Sequence, residues 1–278
     1  MEMFHETLHR DFQQGLAIDE VLFEGKTEFQ SARIFANRTF GKVLTLDGVV
    51  QTTEADEFIY HEMLAHVPLF ALDAPQEVLI IGGGDGGCLE EVLKHPVSRV
   101  TMVELDKGVV DISKAHLRSI CGDAFEDPRT ELIIGDGARF VAETERRFDV
   151  VIVDSTDPIG PGEVLFSEAF YTNCKRCMTE RGILITQNGV PFLQRAELDK
   201  SVGIFRALFR YAGFYLAVIP TYAGGFMALG CASNGTDVAN VPAETLSGRH
   251  AAAGFATRYY NPGLHRAAFV APSFLRIE

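Results

Sequence analysis

Val78-Leu-Ile-Ile-Gly-Gly-Gly-Asp-Gly-Gly87 is the stretch that decides the fold. Its four apolar residues form a short run of the kind that becomes a strand buried on both faces. The glycines that follow fit G-x-G-x-x-G at Gly82, Gly84 and Gly87. Such spacing lets a backbone turn tightly out of a strand and approach a ligand closely. A helical stretch, Gly87–Lys94, comes next, and then a second apolar run, Val100–Glu104. Its terminal acid stands about 20 residues beyond the glycines, where a carboxylate takes ribose hydroxyls. Strand, glycine loop, helix, strand and acid together point to a ligand containing a nucleoside.

The pattern continues downstream. Leu132–Ile134, Val150–Asp154 and Ile183–Gln187 are further short apolar runs, with helical stretches such as Lys107–Leu117 between them. Alternation at this spacing predicts a mainly parallel sheet covered on both faces. In such a sheet the ligand lies outside the carboxyl ends of the strands, where strand order reverses.

Upstream the chemistry changes. Ala17–Phe23 and Glu28–Phe35 read as β segments, and Lys42–Leu46 and Val49–Thr53 flank the turn pair Asp47-Gly48. Asp56–Leu72 reads as a helix ended by Asp73-Ala-Pro75. The expected organisation is an α/β chain: a small antiparallel β domain over residues 1–54, then a Rossmann-like catalytic domain over 55–278.

Acids gather at the strand ends. Asp85 lies inside the glycine loop, where a pyrophosphate would meet its charge. Two like charges about 4 Å apart repel by roughly 4 kcal/mol at an effective dielectric of 20. The loop therefore selects against a dinucleotide and for a ligand that is cationic there. Decarboxylated S-adenosylmethionine has a sulfonium and an ammonium and no carboxylate, so Asp85 is expected to pair with its ammonium. Asp136, in Gly135-Asp-Gly137, can accept from an adenine amine and can also cap a helix. Asp154 and Asp157 end the fourth strand, three residues apart, and suit a diamine. The Pro/Gly run that follows, Pro158–Gly162, reads as a loop able to close over substrate.

The whole chain is consistent with this. Its 278 residues carry a net charge of -13, with 38 acids against 25 bases. That repels nucleic acid and anionic membranes and tolerates a cationic substrate. The start lacks the basic and apolar regions of a signal peptide, and no apolar run nears the roughly 20 residues of a membrane span. Five cysteines, an odd number, do not suggest a secreted disulfide framework. A cytoplasmic protein is expected.

Two motifs invite other readings. His5-Glu-Thr-Leu-His9 matches the zinc-protease pattern H-E-x-x-H, but it precedes a β domain and lacks a third ligand. Cys174-Lys-Arg-Cys177 falls late in a helical stretch without a second cysteine pair, which favours core thiols over redox chemistry. No metal site is expected.

Taken together, the residues resemble the spermidine synthase (polyamine aminopropyltransferase) family over nearly the whole chain. The specific segments are Leu46-Asp-Gly-Val-Val-Gln-Thr-Thr-Glu54, Asp56-Glu-Phe-Ile-Tyr-His-Glu-Met63, Gly82–Gly87, Asp154–Pro161 and Arg258-Tyr-Tyr-Asn-Pro262. The resemblance implies a methyltransferase-like Rossmann domain after the β domain. It implies that Gln30, Glu104, Asp136, Gly137 and Pro161 line the nucleoside site, with Gln51 near the sulfonium side chain. It places Tyr60, His61, Asp85, Asp154, Asp157, Gln187 and Tyr222 along the aminopropyl and diamine channel, with Asp154 as proton acceptor. The implied reaction moves an aminopropyl group from decarboxylated S-adenosylmethionine, a co-substrate rather than a cofactor, to putrescine. Cadaverine, agmatine or spermidine are the alternative acceptors, and a homodimer or homotetramer is the implied assembly. Glu90, Ser155 and Gly230-Cys231 depart from the usual pattern, the last where relatives carry a Trp; this chain has none.

Overall fold

The computed structural model describes residues 2–158 and 160–276. Asp47 and Gly48 both take positive φ, 49° and 79°. This is the two-residue turn whose twist matches that of the flanking strands. It joins β5 (Gly41–Leu46) to β6 (Val49–Thr53), and with β3 (Glu20–Lys26) and β4 (Ser31–Asn37) these form a four-stranded antiparallel sheet in sequence order. β1 (Glu2–His5) and β2 (Gly15–Ile18) make a separate two-stranded ribbon.

Two boundaries in the N-terminal region differ from expectation. The run Ala17–Phe23 is divided between β2 and β3, because the chain breaks at Asp19, whose amide donates to Ala36. The next strand starts at Ser31 rather than Glu28. Thr27 and Gln30 close a turn first, through the Thr27 amide and hydroxyl, both donating to the Gln30 carbonyl.

Helix α1 (Glu57–Ala71) follows, and then a seven-stranded sheet. Its members are β7 (Glu77–Gly82), β8 (Arg99–Glu104), β9 (Thr130–Ile134), β10 (Phe148–Asp154), β11 (Met178–Gln187), β12 (Tyr211–Ala217) and β13 (Met227–Ser233). The order is β12-β13-β11-β10-β7-β8-β9. From β11 to β9 all neighbours are parallel, while β13 runs antiparallel to both β11 and β12. The chain builds outward from β7 through β8 to β9, then returns to place β10 on the other side of β7. The switch point lies between β7 and β10, with Gly82 registered against Asp154.

Alternation decides which side chain enters which layer. Val78 and Ile80 face one core with α1 and α2 (Gly87–Leu93); Leu79 and Ile81 face the other, with α6 (Glu168–Arg176) and α7 (Pro191–Leu208). The remaining helices are α3 (Lys107–His116), α4 (Arg118–Cys121), α5 (Gly137–Glu143), α8 (Ala243–Ala252) and α9 (Pro262–Ala268). Helix α1 is buried on almost every side and anchored to the C-terminal region. Glu62 accepts from the amides of Arg258 (2.6 Å), Tyr259 (2.9 Å) and Tyr260 (2.7 Å), which gives Arg258-Tyr-Tyr-Asn-Pro262 a structural role. Among the described residues no helix is long and apolar enough to cross a membrane.

Candidate active site

Glycines make the switch point possible. Gly82 has φ 84°, and a Cβ there would lie 2.1 Å from the Asp154 carbonyl oxygen. The Gly83 amide donates to that carbonyl at 2.8 Å. The loops after β7 and β10 are thereby joined by backbone, and their carboxylates, Asp85 and Asp154, meet. A Cβ at Gly87 would lie 2.2 Å from the His61 ring, so the third glycine of the pattern serves helix-to-helix packing instead of a phosphate.

Over this junction lies a cavity of about 410 Å³. It is lined by Gln30, Gln51, Tyr60, Asp85, Glu104, Asp136, Gly137, Asp154, Asp157, Gln187 and Tyr222, which is most of the residues expected from sequence. Pro161 has its side chain outside the described residues. His61 is 1% exposed and does not line the cavity; it stands behind Asp85.

At the nucleoside end, Glu104 is buried, and burial, opposed by the Asp106 amide that donates to it, raises its carboxyl to about 7. Asp106 caps α3 through the Gly108 amide and holds the Gln30 side chain at 3.0 Å, so the N-terminal sheet delivers Gln30 to the site through this bond. Asp136 caps α5 through the amides of Ala138 and Arg139 while also lining the cavity. Gly137 is required because a Cβ would meet Ile81 at 2.4 Å.

The chemical centre is acidic. Tyr60 donates its hydroxyl to Asp154 Oδ1 at 2.8 Å, and among the described residues the second oxygen has no hydrogen-bond partner. Burial and the Asp154 charge hold the phenol well above its ordinary pKa, so it stays a donor. Burial first, and then the charge of Asp85, push Asp154 up to about 6. Asp85 accepts from the Gly87 amide at 3.0 Å, and its other oxygen lies 3.4 Å from His61 Nε2. Burial would raise Asp85, but the His61 imidazolium and the Gly87 amide keep it below the ordinary carboxylate value. Burial would likewise neutralise His61, but Asp85 and Glu57 outweigh it and hold the ring well above its usual pKa. His61, Asp85 and Asp154 bring one donor atom each within 4.8 Å of one another. With both ring nitrogens facing carboxylates, the imidazolium offers two N–H groups and no lone pair to an ion.

Other residues of the site were not legible in advance. Glu6 lines the cavity from the N-terminal ribbon, its carboxylate held by the Val50 amide (2.9 Å) and the Gln14 side chain (3.0 Å). It is the central acid of His5-Glu-Thr-Leu-His9, whose first residue lies on β1 rather than on a helix. Gln194, at a kink inside α7, donates to Asp157 at 2.6 Å and accepts from the Val190 amide at 2.8 Å. Tyr222, which the sequence did point to, reaches across to the Gln51 carbonyl at 2.6 Å and packs edge-on to Tyr60.

The three departures also have places. Glu90 pairs with Lys94 at 2.9 Å and does not line the cavity. Ser155 lines the cavity with its hydroxyl buried and, among the described residues, without a hydrogen-bond partner. At Gly230 a Cβ would fall 2.3 Å from Asn188 Oδ1 and 2.7 Å from Phe205, so this β13 position holds no side chain without repacking. Cys174 and Cys177 are buried free thiols at the end of α6.

Comparison with known proteins shows the family and the fold. Residues 57–241 match the spermine/spermidine synthase domain and residues 3–54 the spermidine synthase tetramerisation domain. A polyamine aminopropyltransferase from a Ruegeria species is 56% identical over 98% of this chain and 96% of its own length. Polyamine aminopropyltransferase 1 of Pseudomonas aeruginosa is 53% identical over 99% and 96%. A spermidine synthase solved in complex with the transition-state analogue AdoDATO superposes with a TM-score of 0.94, at 35% identity over 99% of this chain and 93% of that one. Thermotoga maritima spermidine synthase gives 0.91 at 34% identity, over 99% and 92%.

Proposed function

The chain belongs to the spermine/spermidine synthase family, and from that premise we propose that it transfers the aminopropyl group of decarboxylated S-adenosylmethionine to putrescine, yielding spermidine and 5'-methylthioadenosine. The observation that carries this reading is the pair Asp85 and Asp154, half-buried at the switch point in the wall of a nucleoside-sized cavity. Asp85 faces the donor ammonium, and Glu104, Asp136 and Gln30 take the nucleoside. Asp154 meets the attacking amine.

The amine nitrogen forms a bond to the methylene beside the sulfonium as the C–S bond breaks. The bonding pair stays on sulfur, which becomes a neutral thioether. An alkylamine is mostly protonated at neutral pH and attacks only as the free base. Asp154, raised to about 6, is ionised above that pH and close enough to neutral to accept the proton. The Tyr60 hydroxyl fixes which carboxylate oxygen is available. Alignment of the two reactants supplies much of the rate. The displacement requires no cofactor. Asp157, oriented by Gln194, and Gln187 and Tyr222 bind the far part of the diamine.

A dimer or tetramer built through the N-terminal sheet is part of the proposal, supported by the match of residues 3–54. Cytoplasmic residence is supported by the acidic composition and the five buried, unpaired cysteines.

The test is incubation with decarboxylated S-adenosylmethionine and putrescine, cadaverine, agmatine or spermidine, with products read by mass spectrometry. Aminopropylated putrescine in excess is expected. Preference for another amine moves the acceptor, and methyl transfer from S-adenosylmethionine without aminopropyl transfer overturns the reading.

A further inference from the structure

We propose that Glu57 is a positioning residue for the transfer reaction, acting through His61 to orient and charge-balance Asp85. The inference rests on the reading above, in which Asp85 faces the donor and Asp154 takes the proton. Glu57 stands in the first turn of α1, four residues before His61, so the two side chains share a helix face. Its Oε2 lies 2.7 Å from His61 Nδ1, and both side chains are largely withdrawn from solvent, at 11% and 2% exposure. The opposite ring nitrogen faces Asp85 Oδ2 at 3.4 Å. Carboxylate, imidazole and carboxylate thus form a line from the helix terminus to the cavity wall.

The surroundings leave the ring few alternatives. From α1 it meets Glu57 and the Tyr60 ring, 5.4 Å away. From the glycine loop it meets Asp85, and from α2 the backbone of Gly87. Asp154 senses its charge from β10, and Cys88, buried beside both aspartates, remains a neutral thiol. Glu90 is the other acid near Glu57, and it is engaged by Lys94. Glu57 and Asp85 are the two carboxylates in contact with the ring.

The consequence is electrostatic. Burial alone would strip the ring of its second proton; two carboxylates prevent this. A doubly protonated ring needs an acceptor at each nitrogen, which fixes the ring plane and hence the Asp85 oxygen opposite it. It also offsets part of the Asp85 charge that bears on Asp154. Without Glu57 the ring can become neutral, Asp85 stands uncompensated, and Asp154 is pushed further up. The acid limb of the activity profile then moves to higher pH.

Glu57→Gln keeps the side-chain shape and removes the charge. In the full chain labelled with ¹⁵N-histidine, the wild-type His61 ring is expected to stay doubly protonated through neutral pH, and in the variant it should lose its second proton at lower pH than in the wild type. With decarboxylated S-adenosylmethionine and putrescine, the acid limb of kcat/KM should rise by about one pH unit. In a His61→Gln background, Glu57→Gln should move the limb no further, since the intermediary is gone. A neutral wild-type ring at pH 7, a ring that titrates no lower in Glu57→Gln, or an equal limb shift without His61 overturns the proposal. If the wild type transfers no aminopropyl group to any amine, the functional reading fails instead, and the ring titration still decides whether Glu57 controls His61.

Discussion

Replacing Asp85 with Asn tests the proposal that this glycine loop selects a decarboxylated donor. A carboxylate and an ammonium about 4 Å apart attract by roughly 4 kcal/mol at an effective dielectric of 20. The structure lowers that figure, because the same carboxylate faces the His61 imidazolium at 3.4 Å and the Gly87 amide at 3.0 Å. Sharing the charge with His61 leaves about half, or ~2 kcal/mol, which is roughly thirtyfold in affinity. Ordinary S-adenosylmethionine brings its own carboxylate to the same place and is disfavoured by a similar amount. Asp85→Asn should weaken the decarboxylated donor by about one to two decades and narrow its advantage over the carboxylated form. The amide can still accept the Gly87 N–H, so the loop should hold its shape. Titration calorimetry of both ligands against both proteins at low and moderate salt gives the four affinities needed. An affinity ratio unchanged by the substitution refutes the electrostatic argument, and the loop aspartate would then serve the glycine turn alone.

Asp154→Asn should bind 5'-methylthioadenosine normally and lose about 10²–10⁴ in kcat; in the wild type, activity should climb through about pH 6 as Asp154 ionises, and a profile flat from pH 5 to 8 would remove it from the proton step. Glu62→Ala leaves three amides of the Arg258–Tyr260 segment without their buried acceptor and should cost about 3 kcal/mol, read as a lowered Tm. Transfer activity should survive exhaustive chelation; loss under chelator with recovery on adding zinc would contradict the charge-cluster account of His61, Asp85 and Asp154.

What could be read from sequence was local. The β7 run, its glycines and Glu104 lie within one β-α-β unit, and the Asp47-Gly48 turn is set by two residues that tolerate positive φ. Strand β1 gave no such signal: only Phe4 of its four residues is buried, and its partner is β2, across the turn. The cavity residues that escaped notice depend on distant partners, as Glu6 does on Val50, or on a backbone irregularity, as Gln194 does at the α7 kink. Glu57 is different. Its i,i+4 spacing to His61 is plain in Asp56-Glu-Phe-Ile-Tyr-His61, but nothing in the pattern says that the ring beyond it turns away from the cavity toward Asp85.

The bond from the Gly83 amide to the Asp154 carbonyl has a bearing on how this protein can be altered. It ties residues 82–87 to residues 154–155, so the spacing of the Asp85 and Asp154 carboxylates is set by main chain that tolerates no Cβ at Gly82. On the proposed reading, acceptor preference would be carried by cavity-lining side chains standing on other elements: Gln187 on β11, Gln194 on α7, Tyr222 beyond β12 and Glu6 just after β1. A library meant to retarget the enzyme to a longer or branched amine can therefore randomise those four positions together while leaving the reaction centre untouched.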